Sequence, residues 1–360
     1  MIKKVFSILI VLLILFSFAV GCAQKDTGKN VNMSNQISLT DMAGRTVTIP
    51  NEVKKVFSAG PEGTILLYTM DPDKMIGWNY ELREGEKRFI SKKYHNLPNL
   101  GGVNMESINV EEVLRLAPDI VIMMTSIDDT SISKAEQMEK KLGKSVFMLD
   151  VDINKLDSAY RFLGKILNNE KKAEYLANYC RETMNYTKVN AAGIKDDKKV
   201  KVYYAEGPIG LQTEPSGAWH AELIDMVGGN NVAKVTLKGG KGKSEVSIEQ
   251  LLTWNPDLII SWDDERGGFY SQIFKEQAWK DIKAVRNREV YEIPNKPFNW
   301  FDRPPSVNRI LGLKWMGNLI YPEIFKYNMD EEIKKFYSDF YHYELSNDEV
   351  EELLKNSTRH

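Results

Sequence analysis

The chain has 360 residues, Lys+Arg 48 against Asp+Glu 50 for a net charge of −2, and it is 42% hydrophobic and 27% charged. At about 100–200 residues per domain this suggests two domains of ordinary globular composition, which excludes a disordered chain, a collagen and a polytopic membrane protein. The near-neutral balance argues against general nucleic-acid binding, and two cysteines and four histidines cannot build a disulfide framework or a zinc finger.

Residues 1–22 read MIKKVFSILIVLLILFSFAVGC. Lys3 and Lys4 form a charged start, Val5 to Val20 is an apolar run of 16 residues broken by Ser7 and Ser17, and Ala19 and Gly21 are small. That is the layout of a secretory signal peptide, residues 1–21; a run of 16 residues falls short of the ~20 that span a bilayer. Ala19-Val20-Gly21-Cys22 resembles a bacterial lipobox that lacks the usual leucine at position 19. The resemblance implies that Cys22 is lipidated and becomes the first mature residue. Residues 22–35 then form a polar, flexible tether to the membrane. Cys180 is read as a packing residue.

In the body, residues 37–50 alternate apolar and polar around Gly44, a β-hairpin pattern. Lys55–Ser58 reads as a short strand, Thr64–Met70 as a helix and Met75–Trp78 as the next strand, followed by a polar, irregular stretch at 79–100. Then comes an internal repeat. Asn109-Val-Glu111-Glu112-Val-Leu-Arg-Leu-Ala-Pro118-Asp119-Ile-Val-Ile122 returns 138 residues later as Ser247-Ile-Glu249-Gln250-Leu-Leu-Thr-Trp-Asn-Pro256-Asp257-Leu-Ile-Ile260. Each copy has an N-cap residue, Glu or Gln three residues on as in a capping box, Pro-Asp at the helix end and an apolar strand. Two copies of one helix–turn–strand unit predict two similar α/β lobes, 36–152 and 196–325.

Between them, Leu156–Leu167 is amphipathic, Asn168-Asn169 breaks it, and Glu170 to about Ala192 continues as a second helix without internal Gly or Pro. At 1.5 Å per residue that helix is about 33 Å long, enough to bridge two lobes, so 153–195 is read as a helical hairpin. In the second lobe, Val200–Tyr204 and Val290–Pro294 read as strands, and Ala218–Val227 as a helix that ends at Gly228-Gly229. Arg309–Ile320 is a further helix, and 326–360 reads as C-terminal helices, Asp330–Tyr341 and a last one capped at Ser346 or Asn347.

Gly239-Gly-Lys-Gly242-Lys243-Ser244 lacks the first glycine of a phosphate-binding loop, because position 237 is Leu, and it reads as a flexible surface loop. No Gly-x-Ser-x-Gly elbow, His-Glu-x-x-His or Cys-x-x-Cys occurs, and His95, His220, His342 and His360 are scattered. This disfavours an enzyme and a metal held directly by the protein. Aromatic and polar residues instead collect at strand ends: Trp78 and Tyr80, Trp219, Trp262, and the run Phe298-Asn-Trp300-Phe301-Asp302-Arg303-Pro304-Pro305-Ser306. Ligands of open α/β sheets bind outside the carboxyl ends of strands, so these side chains would line a cleft. Aromatic faces suit a large, flat ligand, and Arg303 suits its carboxylate or phosphate.

On Thr40–Pro50, both Glu…Pro-Asp units, Gly228-Gly229-Asn230 and Trp300–Arg303, the chain from 37 to about 325 resembles the extracytoplasmic solute-binding proteins of ABC importers for iron–siderophores, haem and cobalamin. The resemblance implies two Rossmann-like lobes joined by a single long helix, with the ligand cleft between them. It implies ligand contacts at Pro61, Glu62, Trp78, Tyr80, Met124, Thr125, Glu206, Trp219 and Trp300 to Arg303, including Phe301; Trp262 joins this set from its place at a strand end. It implies that Glu111 and Glu249, one per lobe, dock onto arginines of a permease dimer that works with ATPase subunits. The expected protein is a monomeric, lipid-anchored binding protein on the outer face of the cytoplasmic membrane, with no intrinsic cofactor and no chemistry of its own. Its expected cargo is a chelated metal, a ferric siderophore first. A corrinoid, haem or a small oxyanion such as molybdate are the alternatives, and a metal-dependent enzyme of two-lobed α/β fold is the alternative from another class. Leu100-Gly-Gly-Val103 replaces the tryptophan loop of cobalamin-binding members, which weakens the corrinoid case. For haem, Tyr80, His95, Tyr204 and His220 are the candidate axial residues.

Overall fold

The computed structural model describes residues 36–102, 105–236 and 242–359. The signal peptide and the whole tether, Cys22 included, lie outside them, as do 237–241 of the glycine-rich loop. The chain opens with the expected hairpin, β1 (Gln36–Thr40) against β2 (Thr46–Pro50), around Gly44 at φ +77°. Buried Asp41 fixes the turn by accepting from the N–H groups of Ala43 and Arg45, and it docks the hairpin on the first sheet by accepting from Met148 N at 3.1 Å.

That sheet is parallel, in the order β3 (Val56–Ser58), β4 (Ile120–Thr125), β5 (Val146–Asp150). Helix α1 (Pro61–Met70) follows β3, and α2 (Val110–Leu116) precedes β4. Helix α3 (Asp129–Leu142) leads into β5. The strand expected at 75–78 is absent: Met75 and Trp78 each make one isolated bridge, to Val56 and Asn99. Helix α1 begins three residues earlier than expected, with Pro61 at N1, where its missing N–H costs nothing.

Helices α4 (Leu156–Leu167) and α5 (Glu170–Ala192) have the expected bounds, with Asn168 left-handed between them. The second sheet is also parallel. It contains β6 (Lys201–Ala205) and β7 (Asn230–Asn231). After α6 (Ile248–Trp254) come β8 (Leu258–Ser261) and β9 (Val290–Glu292), in the spatial order β9-β8-β6-β7. The helix expected over 218–227 shrinks to Glu222–Met226. Helix α7 (Asn308–Ile320) is buried almost all round, and α8 (Met329–Phe336) runs into a π-helical turn, Tyr337–Tyr341, before α9 (Asn347–Leu354).

The two repeat units are tied down by the same set of main bonds, although the reciprocal capping box expected of both forms only at Ser247 and Gln250. Asn109 and Ser247 cap their helices by accepting from Glu112 N and Gln250 N, at 3.1 and 3.2 Å. Both helices end on a left-handed residue, Ala117 and Asn255. Asp119 N and Asp257 N each donate at 2.8 Å to the preceding strand segment, to Lys55 O and Lys201 O. Their carboxylates accept in return from Lys55 N at 2.8 Å and Lys201 N at 2.9 Å. The Pro-Asp pair thus anchors each central strand to its parallel neighbour.

The lobes do not meet through the long helix alone. One apolar core runs from Val56 and Phe147 of the first sheet and Ile65 of α1 to Tyr204 and Ile260 of the second sheet and Ile310 of α7, and it takes in the C-terminal helices. The π-helical turn reaches back onto the first lobe: Tyr68 donates to Tyr341 O at 3.2 Å, and Phe89 meets Tyr337 edge-on. Cys180 is buried in this core, and its apolar surroundings push the thiol well above its ordinary range.

Candidate solute-binding site

The loops that leave the carboxyl ends of both sheets enclose a cavity of about 560 Å³. The first lobe contributes Pro61, Glu62, Tyr80 and Arg83; the second contributes Trp219, His220, Arg266 and Arg303–Pro305. A smaller cavity of about 230 Å³ shares Arg83, Arg266 and Arg303 and adds Trp262 and Asn299. The lobes touch at this place, where Ser306 Oγ donates to Glu62 O at 2.8 Å.

Each wall is held from behind. Asn79 Nδ2 bonds Ser58 O at 2.9 Å and Gly101 O at 2.6 Å, which locks the loop that carries Tyr80. Tyr80 donates to Glu86 Oε1 at 3.2 Å, and Glu86 also accepts from Arg83 N at 2.8 Å. On the other wall, buried Arg309 donates to Trp219 O at 3.1 Å and pairs with Glu222, fixing the Trp219–His220 turn. Trp219 is 39% exposed, with its ring centroid 4.4 Å from that of His220. His220 Nδ1 bonds the buried Asp302 carboxylate. An aspartate there favours the proton on Nδ1 and leaves Nε2 as the electron-pair donor.

The three arginines differ in their company. Arg303 is encircled by carboxylates, with Glu206 at 2.5 Å, Asp302 at 2.6 Å and Glu214 at 3.1 Å. Arg83 has Glu86 at 3.7 Å. Arg266 donates to two neutral oxygens, Asn295 Oδ1 at 2.7 Å and Arg303 O at 3.0 Å. Burial first, and then repulsion from Arg83, lower the Arg266 pKa. Burial pushes the carboxyls of Glu62 and Glu206 up to about 7. The cavity therefore holds a cation with no ion pair among the described residues, its nearest acidic groups being Glu86 and Asp263, and a carboxyl poised to take up a proton near neutrality.

Of the expected contacts, Pro61, Glu62, Tyr80, Trp219 and Arg303 line the larger cavity and Trp262 the smaller. Four others are buried and line neither cavity. Trp78 is in the core, with Nε1 donating to Tyr94 O at 2.8 Å. Met124 packs under α1 beside Gly63. Trp300 is fully buried with its carbonyl against Gly312, and Phe301 packs against Tyr204 at 4.8 Å. Thr125 sits half-buried at the end of β4, off both cavities. Glu206 lies behind Arg303. Arg83 and Arg266 were not anticipated. Both fall in charged loops that read as solvated surface; their one signal is position, shortly after a strand or bridge ends. Glu111 and Glu249 are exposed at the same second position of α2 and α6.

A two-lobed parallel α/β body with a cavity between its lobes is suited to capture a solute. Residues 84–297 match the periplasmic binding protein family, and the chain belongs to it. It is 25% identical over 327 residues to the molybdate-binding protein MolA of Haemophilus influenzae, across 84% of this chain and 90% of that one. It is 28% identical over 218 residues to the haem uptake protein IsdE of Staphylococcus aureus, across 58% of this chain and 70% of that one. A solved ABC transporter solute-binding protein from Sulfurospirillum deleyianum superposes with a TM-score of 0.81 at 31% identity, covering 88% of this chain and 99% of that one. The protein is thus an extracytoplasmic solute-binding protein of an ABC importer, not an enzyme, and it carries a transported ligand rather than a cofactor.

Proposed function

We propose that this protein captures an anionic metal chelate, a ferric siderophore first, and delivers it to its importer. Arg266 carries the reading: a half-buried guanidinium on the cavity wall, bonded to neutral oxygens and repelled by Arg83, gains most from an anion. A cavity of about 560 Å³ is in the range that encloses a drug-sized ligand, which favours a chelate over a bare oxyanion. His220, oriented by Asp302, is suited to fill an open position on the chelated metal. Trp219 offers its face to the chelator. Tyr80, Glu62 and Arg303 complete the wall.

Likeness to MolA and the arginines support a second reading, a tetrahedral oxyanion. Likeness to IsdE supports haem, with His220 as the axial residue. Docking is assigned to Glu111 and Glu249 on the permease dimer, and anchoring to a lipid on Cys22. The deciding experiment is a titration of the purified protein with ferric siderophores, haem, cobalamin and molybdate, followed by intrinsic tryptophan fluorescence and visible absorption. Tight binding of an anionic ferric chelate is expected. Equal affinity for cobalamin, or a preference for molybdate, would overturn the chelate reading.

A further inference from the structure

We infer that Leu114 and Leu252 are the apolar halves of two equivalent docking pads, each a leucine beside a glutamate, for a partner that presents the same receptor surface twice. The inference rests on the docking reading of Glu111 and Glu249 given above and extends it to the residues that hold the complex together. Among the described residues, Leu114 at 45% and Leu252 at 38% are the exposed leucines. They occupy the same position of the two repeat units, 138 residues apart. Each follows its glutamate by three residues on one short helix, so the two side chains are neighbours on one face. The residue before each, Val113 and Leu251, is fully buried, so the helices are seated alike and offer the same outer face. The N-cap bond and the two-way Pro-Asp anchor that seat them occur in both copies.

The charge on each pad is also alike. Glu112 is neutralised by Arg115 at 2.5 Å, and Gln250 replaces it in the second copy. Each pad thus keeps one carboxylate, Glu111 or Glu249, without an ion pair among the described residues. An exposed leucine next to an unpaired carboxylate fits a receptor with an apolar seat beside an arginine or lysine. Two such pads on two lobes fit a two-fold symmetric permease, which supplies that seat once per subunit. In this division of labour the rim charges govern approach and orientation, and the buried leucines govern residence.

The test uses the full chain and the permease–ATPase complex of the same importer in nanodiscs, with association and dissociation rates measured over a range of salt. L114S/L252S is expected to dissociate faster, by about 10-fold per leucine, with an unchanged association rate and salt slope. Its thermal midpoint should fall by no more than a few degrees, because both leucines are already partly exposed. E111Q/E249Q is expected to associate more slowly with a flattened salt slope. A parental dissociation rate in L114S/L252S would overturn the inference while leaving glutamate docking intact. A parental association rate and salt slope in E111Q/E249Q would overturn the docking reading and this inference with it. A parent that sediments as a dimer, and that the leucine substitutions render monomeric, would mean that the pads seat a second copy instead.

Discussion

The two lobes are alike on the outside and unlike at the cleft. Helices α2 and α6 share caps, end on left-handed residues, and are anchored by the same Pro-Asp contacts. The walls they support share almost nothing: Tyr80, Glu62 and Arg83 face Trp219, His220, Arg266 and Arg303. A partner with two-fold symmetry constrains the outer face of each lobe in the same way. A single asymmetric ligand constrains the inner faces separately. Repetition of a scaffold therefore marks where symmetry is used, and its loss marks where one molecule is recognised.

The largest expected effect tests whether two lobes this similar are also independent. Trp78 belongs to the first lobe and Trp300 to the second, and both lie in the one core that spans them. W78A and W300A should each cost about 3–5 kcal/mol, the range for emptying a buried aromatic site, and each should still unfold in one transition. Calorimetry that resolved two transitions would break the shared core into two. By contrast W219A, at a partly exposed site on the cavity, should leave stability within about 0.5 kcal/mol and weaken ligand binding instead.

This pair also marks how far the chain could be read before its structure. The repeat was legible because caps, Pro-Asp turns and helical periodicity are local, and α4 and α5 start and stop where Asn168 and Asn169 place them. Helix α3 and strand β5 were passed over: Val146–Leu149 is a short apolar run, of a kind that periodicity alone does not assign. In the cleft, Trp300 and Trp219 carry the same local signals, an aromatic ring among polar and turn-forming neighbours. What separates them is distant packing, Gly312 against one and the Arg309 bond behind the other. Arg266 was missed for the same reason. Its value depends on meeting Arg83, 183 residues away in sequence, across two lobes.

Arg266 gives the second effect in size. R266Q keeps a side chain that can donate to Asn295 but removes the charge. It should lower affinity for an anionic chelate by about 10–100-fold, the worth of one hydrogen bond to a charged group, and leave the thermal midpoint unchanged or higher because a cation short of counter-charge is gone. R303Q should act differently. Arg303 balances Glu206, Asp302 and Glu214, so its loss leaves buried carboxylates unpaired and should lower stability along with affinity. If R266Q and R303Q were equally destabilised, the distinction between a ligand-facing and a framework arginine would fail.

The smallest effect belongs to the first lobe and comes from Glu62. Burial raises its carboxyl to about 7 in the folded chain, above the ordinary range of a glutamate. The folded state therefore holds this proton more tightly than the unfolded state. Stability from this group is full below the unfolded value and is lost as pH rises through the folded one. An anion in the cavity strengthens the preference for the protonated form, so binding takes up a proton near neutrality. Affinity for a probe anion that does not itself titrate between pH 6 and 8 should fall a few-fold over that range. E62Q, which keeps the neutral shape, should flatten the slope and make the chain more stable than the parent at pH 8. Glu206, also raised to about 7 but bonded to Arg303 behind the wall, should contribute the residual slope. E206Q is therefore expected to change the pH profile less than E62Q. The reverse order would move the proton-coupled group from the first lobe's wall to the second lobe's framework.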